Sequence, residues 1–199
     1  MVRRTVAGSN TFSEFLELIP EDQKADLLDG VIFMASPENT EHNDLISWLN
    51  ALLRPFVEER RLGRLTINKV AYRLSDRTAP EPDLGFVAAG RLDRIKSGYV
   101  DGPPDLAVEI VSPDSVERDY ENKRRRYEAA GVSEYWIIDP LESTATFLVR
   151  EGDAFVERLP RDHLYQSRVL AGLELDVRWL WQRPLPATMP IVRRLLGPE

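Results

Sequence analysis

Two spacings of apolar residues, about 3.6 and 2, alternate along this chain and divide it into helices and strands. The longest helical stretch covers residues 38–61, where Leu45, Trp48, Leu49, Leu52, Leu53 and Phe56 share one face. Pro55 lies inside it and is expected to kink or divide it near its end. A shorter helix opens with Thr11 or Ser13 as cap and turns Phe12, Phe15 and Leu16 inward. Between the two helices, residues 26–34 place an Asp29-Gly30 turn signal between apolar segments and predict a hairpin.

Most of the remainder reads as strands. Residues 64–74 alternate, with Leu65, Ile67, Lys69, Ala71 and Arg73 on one side, and residues 83–88 follow the interruption Pro80-Glu81-Pro82. Residues 90–104 form a polar connection with room for a helical turn. Residues 105–111 are mostly apolar, the pattern of a strand covered on both faces. The next segment predicts a helix capped by Ser115 or Asp114 and stopped at Gly131. Its inward stripe is Val116, Tyr120, Lys123, Tyr127 and Ala130. Residues 135–138 predict a buried strand, 144–149 and 154–157 a hairpin turning at Glu151-Gly152-Asp153, and 168–175 one more strand. The Pro-rich tail from Pro184 is expected to be peripheral. This order predicts a mixed sheet flanked by helices, of the α/β or α+β class, in a single domain over residues 1–199.

Two charges break these patterns. Glu109 shares a strand face with Ala107 and Val111, and Lys123 sits in mid-stripe between Tyr120 and Tyr127. A lysine there either extends its ammonium to water or meets an anion, and Glu109 on the preceding strand is the natural partner. Asp83, directly after Pro82, can meet Glu109 if their strands are neighbours, at a cross-strand spacing of ~5 Å. Asp105 lies on the same strand as Glu109 but ~13 Å away by strand rise, too far to share one ion. Two carboxylates that close repel, and a magnesium-type ion bound by oxygens at ~2.1 Å relieves the conflict. With a lysine beside it, such a site suits attack of water on a phosphodiester. By residue type alone, a lone inward Glu is more often paired with a Lys or Arg than catalytic. The same residues therefore also fit a partly buried salt bridge between Lys123 and Glu109 with no chemistry.

Composition removes several rivals. The 199 residues include no cysteine and only His42 and His163 as histidines, which excludes a disulfide framework, a thiolate nucleophile and a histidine-rich metal site. No apolar run approaches the ~20 residues of a membrane span. The N-terminal stretch MVRRTVAGSNTF has no signal-peptide core, so a cytoplasmic location is expected. The net charge of −7 argues against a non-specific nucleic-acid coat, although not against a nuclease whose acidic site holds cations. Arg124, Arg125 and Arg126, like Arg91, Arg94 and Lys96, read as a solvated face or as a rim that touches phosphate. Tyr120 and Tyr127 read as packing residues, and Trp179 and Trp181 as a cover for the core or a subunit contact.

The segments EPDLGFV, PPDLAVEIVSP, YEAAGVSEYWIIDP and AGLELDV, with the D-x-x-x-K from Asp119 to Lys123, resemble the Uma-type restriction endonuclease family. This bacterial group lies within the PD-(D/E)XK nuclease-like fold, and the resemblance covers most of residues 11–175. It implies a restriction-endonuclease-like α-β-β-β-α-β core with additional N- and C-terminal strands, a Mg2+ or Mn2+ cofactor, DNA as substrate and a homodimer. By the same match Asp83 and Glu109 are catalytic and hold the metal with the backbone carbonyl of Ile110. The motif's lysine would fall at Val111, and Lys123 resembles its migrated replacement. Asp26, where the family more often has Glu, and His42 are accessory candidates. The alternative is a catalytically silent nuclease-fold module for nucleic-acid binding or protein assembly.

Overall fold

A computed structural model describes residues 5–6, 8–20, 22–36 and 39–197. The chain opens with β1 (Thr5–Val6), α1 (Phe12–Leu18), β2 (Ala25–Leu28), β3 (Val31–Met34) and α2 (Thr40–Glu59). The middle holds β4 (Gly63–Ile67), β5 (Ala71–Arg73), β6 (Leu84–Ala88), β7 (Tyr99–Asp101) and β8 (Leu106–Ile110). A π-helical stretch (Arg118–Lys123) then runs directly into α3 (Arg124–Ala130). The last elements are β9 (Glu134–Asp139), β10 (Thr144–Glu151), β11 (Ala154–Glu157), β12 (Leu164–Gln166), β13 (Glu174–Asp176) and α4 (Thr188–Leu196).

The main sheet has six strands in the order β11-β10-β9-β8-β6-β4. Among the described residues its only parallel pair is β8 with β9, and such a pair requires a crossover, which the π-helical stretch and α3 provide. Taken in chain order, α2, β4, β6, β8, α3 and β9 form the α-β-β-β-α-β core, extended by β10 and β11. One face of the sheet packs on α2, whose Leu45, Leu49, Leu52, Leu53 and Phe56 meet Leu84, Val108 and Trp136. The other face carries Ala107, Val111, Tyr135 and Ile137 against Tyr127 of α3. This double cover is why β8 and β9 read as nearly continuous apolar runs.

The N-terminal elements make a separate small layer. Asp29 (φ 51°) and Gly30 (φ 82°) both take positive φ, as a type I′ hairpin turn requires, and join β2 to β3. Thr11 and Glu14 form a reciprocal capping box at α1, which lays Phe12 and Phe15 on Leu27 and Ile32. Leu16 stays 46% exposed, against expectation, because the short helix covers only the width of two rings.

Other segments depart from the sequence reading for local reasons. Residues 64–74 are two strands rather than one, because Asn68 and Lys69 both adopt positive φ and turn β5 away to pair with β7. Ile67 is accordingly exposed instead of continuing an inward face. Helix α2 runs through Pro55 to Glu59, so the proline does not divide it, and Glu38 lies outside the described residues. Residues 168–175 are largely a loop, with the strand beginning only at Glu174. The tail from Pro184 is not peripheral. Its helix α4 buries Ile191 and Val192 in the main core, and the Trp48 indole donates to the Pro186 carbonyl at 2.7 Å. Trp179 joins this layer edge-on to Trp48, with ring centroids 6.3 Å apart, so it covers the core. Among the described residues no helix is long and apolar enough to cross a membrane.

Candidate active site

The register of the sheet and a change of helical pitch build the site together. Strands β6 and β8 are antiparallel with Leu84 opposite Val108, so the next step brings Asp83 opposite Glu109 on one face. Asp83 fastens this end of the pair, its Oδ2 accepting the Ile110 N–H at 2.7 Å. Both carboxylates line a cleft of about 320 Å³ that also takes in Lys24, Asp26, His42 and Lys123.

The helical side of the cleft owes its chemistry to the π-helical stretch. In an α-helix the stripe would have run through Val116 and Tyr120. Val116 is instead 41% exposed, and the buried positions are Ser115, Asp119, Lys123 and Tyr127, all four apart. A π turn holds more residues than an α turn, so one with four-residue spacing keeps these side chains on one face. Asp119 thus takes the inward place, four residues before Lys123, that the α-spaced stripe gave to Tyr120.

Lys123 Nζ, at 2% exposure, lies 2.9 Å from Glu109 Oε1, 3.1 Å from Asp26 Oδ1 and 3.8 Å from Asp119 Oδ1. The Tyr127 hydroxyl also donates to Glu109 Oε1 at 2.9 Å, so this tyrosine both packs and binds. Asp26 Oδ1 accepts the Glu81 N–H at 2.8 Å, while its Oδ2 lies 3.2 Å from Arg118 Nε. On the other side Asp83 Oδ1 accepts from Lys24 Nζ, and Oδ2 lies 3.3 Å from His42 Nε2. Residues Asp83, Glu109, Lys123, Asp26, His42 and Ile110 are therefore gathered at one cleft. Asp105 stands apart, held by Arg91 at 2.7 Å and the Ala88 N–H at 2.8 Å.

The electrostatics of this cluster are unbalanced. Asp26, Glu81, Asp83, Glu109 and Asp119 are five buried carboxyl groups, against the fixed cations Lys24, Arg118 and Lys123. Burial pushes Glu109 up to about 8, more than Lys123 pulls it down, with Asp119 and Asp83 adding to the rise. Burial likewise raises Glu81 to about 7, against the pull of the Ala25 N–H, and raises Asp119 despite Lys123. Burial also opposes ionisation of Asp83, but Lys24 and His42 outweigh it and hold that carboxyl below its ordinary range. For Asp26, Lys123 and Arg118 win over burial in the same way.

Four members were not foreseen as part of this cluster. One of them, Glu81, reads in the sequence only as part of the Pro80-Glu81-Pro82 interruption. Lys24 lies in the polar run EDQKAD, where nothing in the spacing marks it for burial. Arg118 sits on the helical side that an α pitch turns outward. Asp119 had one signal, its place four residues before Lys123. Of the three arginines read as a solvated face, Arg124 and Arg125 are exposed, while Arg126 pairs with Asp29 at 2.5 Å.

A four-stranded mixed core crossed by a helix, with acids at the β6–β8 ends and a lysine on the helix, is the arrangement of a restriction-endonuclease-like protein. Residues 12–178 match the family described as "Uma2: Putative restriction endonuclease", and the chain belongs to it. Among solved structures, the fold is similar to that of a putative nuclease belonging to DUF820 from Anabaena variabilis, with a TM-score of 0.72 and 22% identity. The likeness covers 86% of this chain and 97% of that one. No curated protein matches the chain.

Proposed function

We propose that the protein is a metal-dependent endonuclease that hydrolyses DNA phosphodiester bonds. In this reading Asp83, Glu109 and the carbonyl of Ile110 hold a magnesium or manganese ion. The observation that carries it is the excess of carboxyl groups over cations around one cleft, which a divalent ion offsets. The donor set fits: Mg2+ commonly takes one or two carboxylates and keeps several waters, rather than an all-protein cage. When bound, the ion supplies Lewis-acid polarisation of the phosphate and lowers the pKa of a water. Lys123 orients Glu109 and places fixed positive charge beside the region where negative charge develops. Tyr127 holds the same Glu109 oxygen, and His42 with the Ile110 N–H orients Asp83. Exposed Arg124 and Arg125 supply local phosphate contacts that the net charge of −7 does not. Placed in a homodimer, two such clefts would serve the two strands of a duplex.

The test is cleavage of supercoiled, linear and single-stranded DNA with Mg2+ or Mn2+. Activity is expected in the parent protein and its loss in Asp83→Ala and Glu109→Ala. Absence of cleavage with either ion, or full activity in both variants, overturns the reading. One observation favours a second reading, a silent nuclease-fold module. Both Asp83 oxygens and Glu109 Oε1 already have partners within the chain. Nucleic-acid binding without metal-dependent cleavage would decide for that module.

A further inference from the structure

The two lysines of the cleft are held very differently. Lys123 is fully buried and meets three carboxylates, so its ammonium has nowhere else to go. Lys24 keeps 13% of its side chain exposed and has its ion pair with Asp83. Its backbone is independently fixed at the start of β2, where the Lys24 carbonyl accepts the Ala35 N–H at 3.0 Å and the Gln23 amide at 2.9 Å. The side chain can therefore change partners while the hairpin stays in place.

Asp83 Oδ2 already meets the Ile110 N–H and His42, so a divalent cation that takes this carboxylate competes with Lys24 for Oδ1. A cation that takes Asp83 leaves Lys24 facing the cleft without its anion, and an unpaired ammonium there is costly. The anion that enters this cleft is a phosphodiester. We propose that Lys24 couples the two ligands: it occupies Asp83 in the empty protein, yields it to the divalent ion and turns to the substrate phosphate. This inference rests on the metal-dependent reading above. Its consequence is that ion and phosphodiester each tighten the other's binding, since coupling between two sites is reciprocal. In the absence of nucleic acid, the lysine keeps ion affinity low.

Calorimetric titration of the full chain with Mn2+, alone and with a hydrolysis-resistant phosphorothioate duplex, tests this. In the parent protein the duplex should tighten Mn2+ binding by about tenfold, within the usual span of coupling. Lys24→Met, which keeps the stem and removes the charge, should bind Mn2+ more tightly than the parent without duplex. In that variant the duplex effect should shrink below about twofold. Weaker Mn2+ binding in Lys24→Met, or an undiminished duplex effect, overturns the coupling while leaving the metal site standing. If the parent shows no saturable Mn2+ binding under either condition, the metal-dependent reading fails and the coupling with it. Should Lys24→Met not fold, acetic anhydride labelling of the parent gives a second readout. Lys24 acetylation, followed by peptide mass spectrometry, should rise several-fold when Mn2+ is added, and unchanged labelling contradicts the exchange.

Discussion

Glu109 and Glu134 are buried carboxylates on adjacent parallel strands, one on each face of the same sheet, and they are treated in opposite ways. Glu134 receives five donors. The Trp136 indole (2.6 Å) and the Tyr165 hydroxyl (2.7 Å) reach Oε1, while the Ser167 hydroxyl (3.0 Å) and the N–H groups of Arg168 and Val169 (2.9 Å each) reach Oε2. No ion is needed there, and the carboxylate pins the 167–170 loop and β12 to the sheet. Glu109 receives two donors, both on one oxygen, and faces other carboxylates across a cleft. A charge satisfied by fixed dipoles holds a fold together. A charge left short of them retains the capacity to bind something else.

The contrast can be broken from either side. The largest effect expected is on catalysis: Glu109→Gln should lower metal-dependent DNA cleavage on the order of a thousandfold, as loss of an electrostatic group at a reacting centre does. Circular dichroism should show the fold intact. At the other face, Glu134→Gln turns an amide NH2 toward donors. Chemical denaturation should report a loss of roughly 3 kcal/mol, the cost of breaking a buried charged network. An equal stability loss in both variants would remove the distinction between the two carboxylates.

The pH dependence sharpens the same point. Glu109 and Glu81 have folded-state pKa values raised to about 8 and about 7, so the folded protein holds protons that the unfolded chain gives up. The stability that these two groups contribute to the ion-free protein should therefore be greatest below their ordinary carboxyl range and fall as pH rises toward 8. The slope should be roughly 1 kcal/mol per pH unit for each group. Asp83 and Asp26 act oppositely, because their lowered values give stability that is lost as pH falls through the acid range. Melting curves from pH 2 to 8 check both limbs, and Glu109→Gln should flatten the alkaline one. The smallest effect belongs to Tyr127→Phe, which removes one of the two donors to Glu109 and should cost about 1 kcal/mol in denaturation.

What could be read in the sequence was whatever violates a local pattern. Glu109 on an apolar strand and Lys123 in a helical stripe announce themselves, because burial of a charge needs a partner. Asp83 followed from a proline-marked strand start, and the Asp29-Gly30 hairpin from turn chemistry. What stayed hidden depends on geometry that residue types do not encode. Asp119 takes the inward place four residues before Lys123, where the stripe drawn in sequence chose Tyr120 instead. Lys24 looks like any polar residue of a loop until β2 and β6 bring it to Asp83. Asn68 and Lys69 carry no glycine to signal their positive φ, so the break between β4 and β5 was invisible. The C-terminal helix was masked by its prolines, although its apolar side completes the core over Trp48.

The claim on which this account depends is that the Glu109 cleft holds more carboxyl groups than cations until a divalent ion enters. Thermal unfolding at pH 8 of the parent and of Glu109→Gln, each with and without Mn2+, measures it most directly. The ion-free variant should melt above the ion-free parent, and Mn2+ should raise the melting temperature of the parent alone. A variant that melts below the parent without ion, or an ion that shifts both proteins equally, would contradict the account.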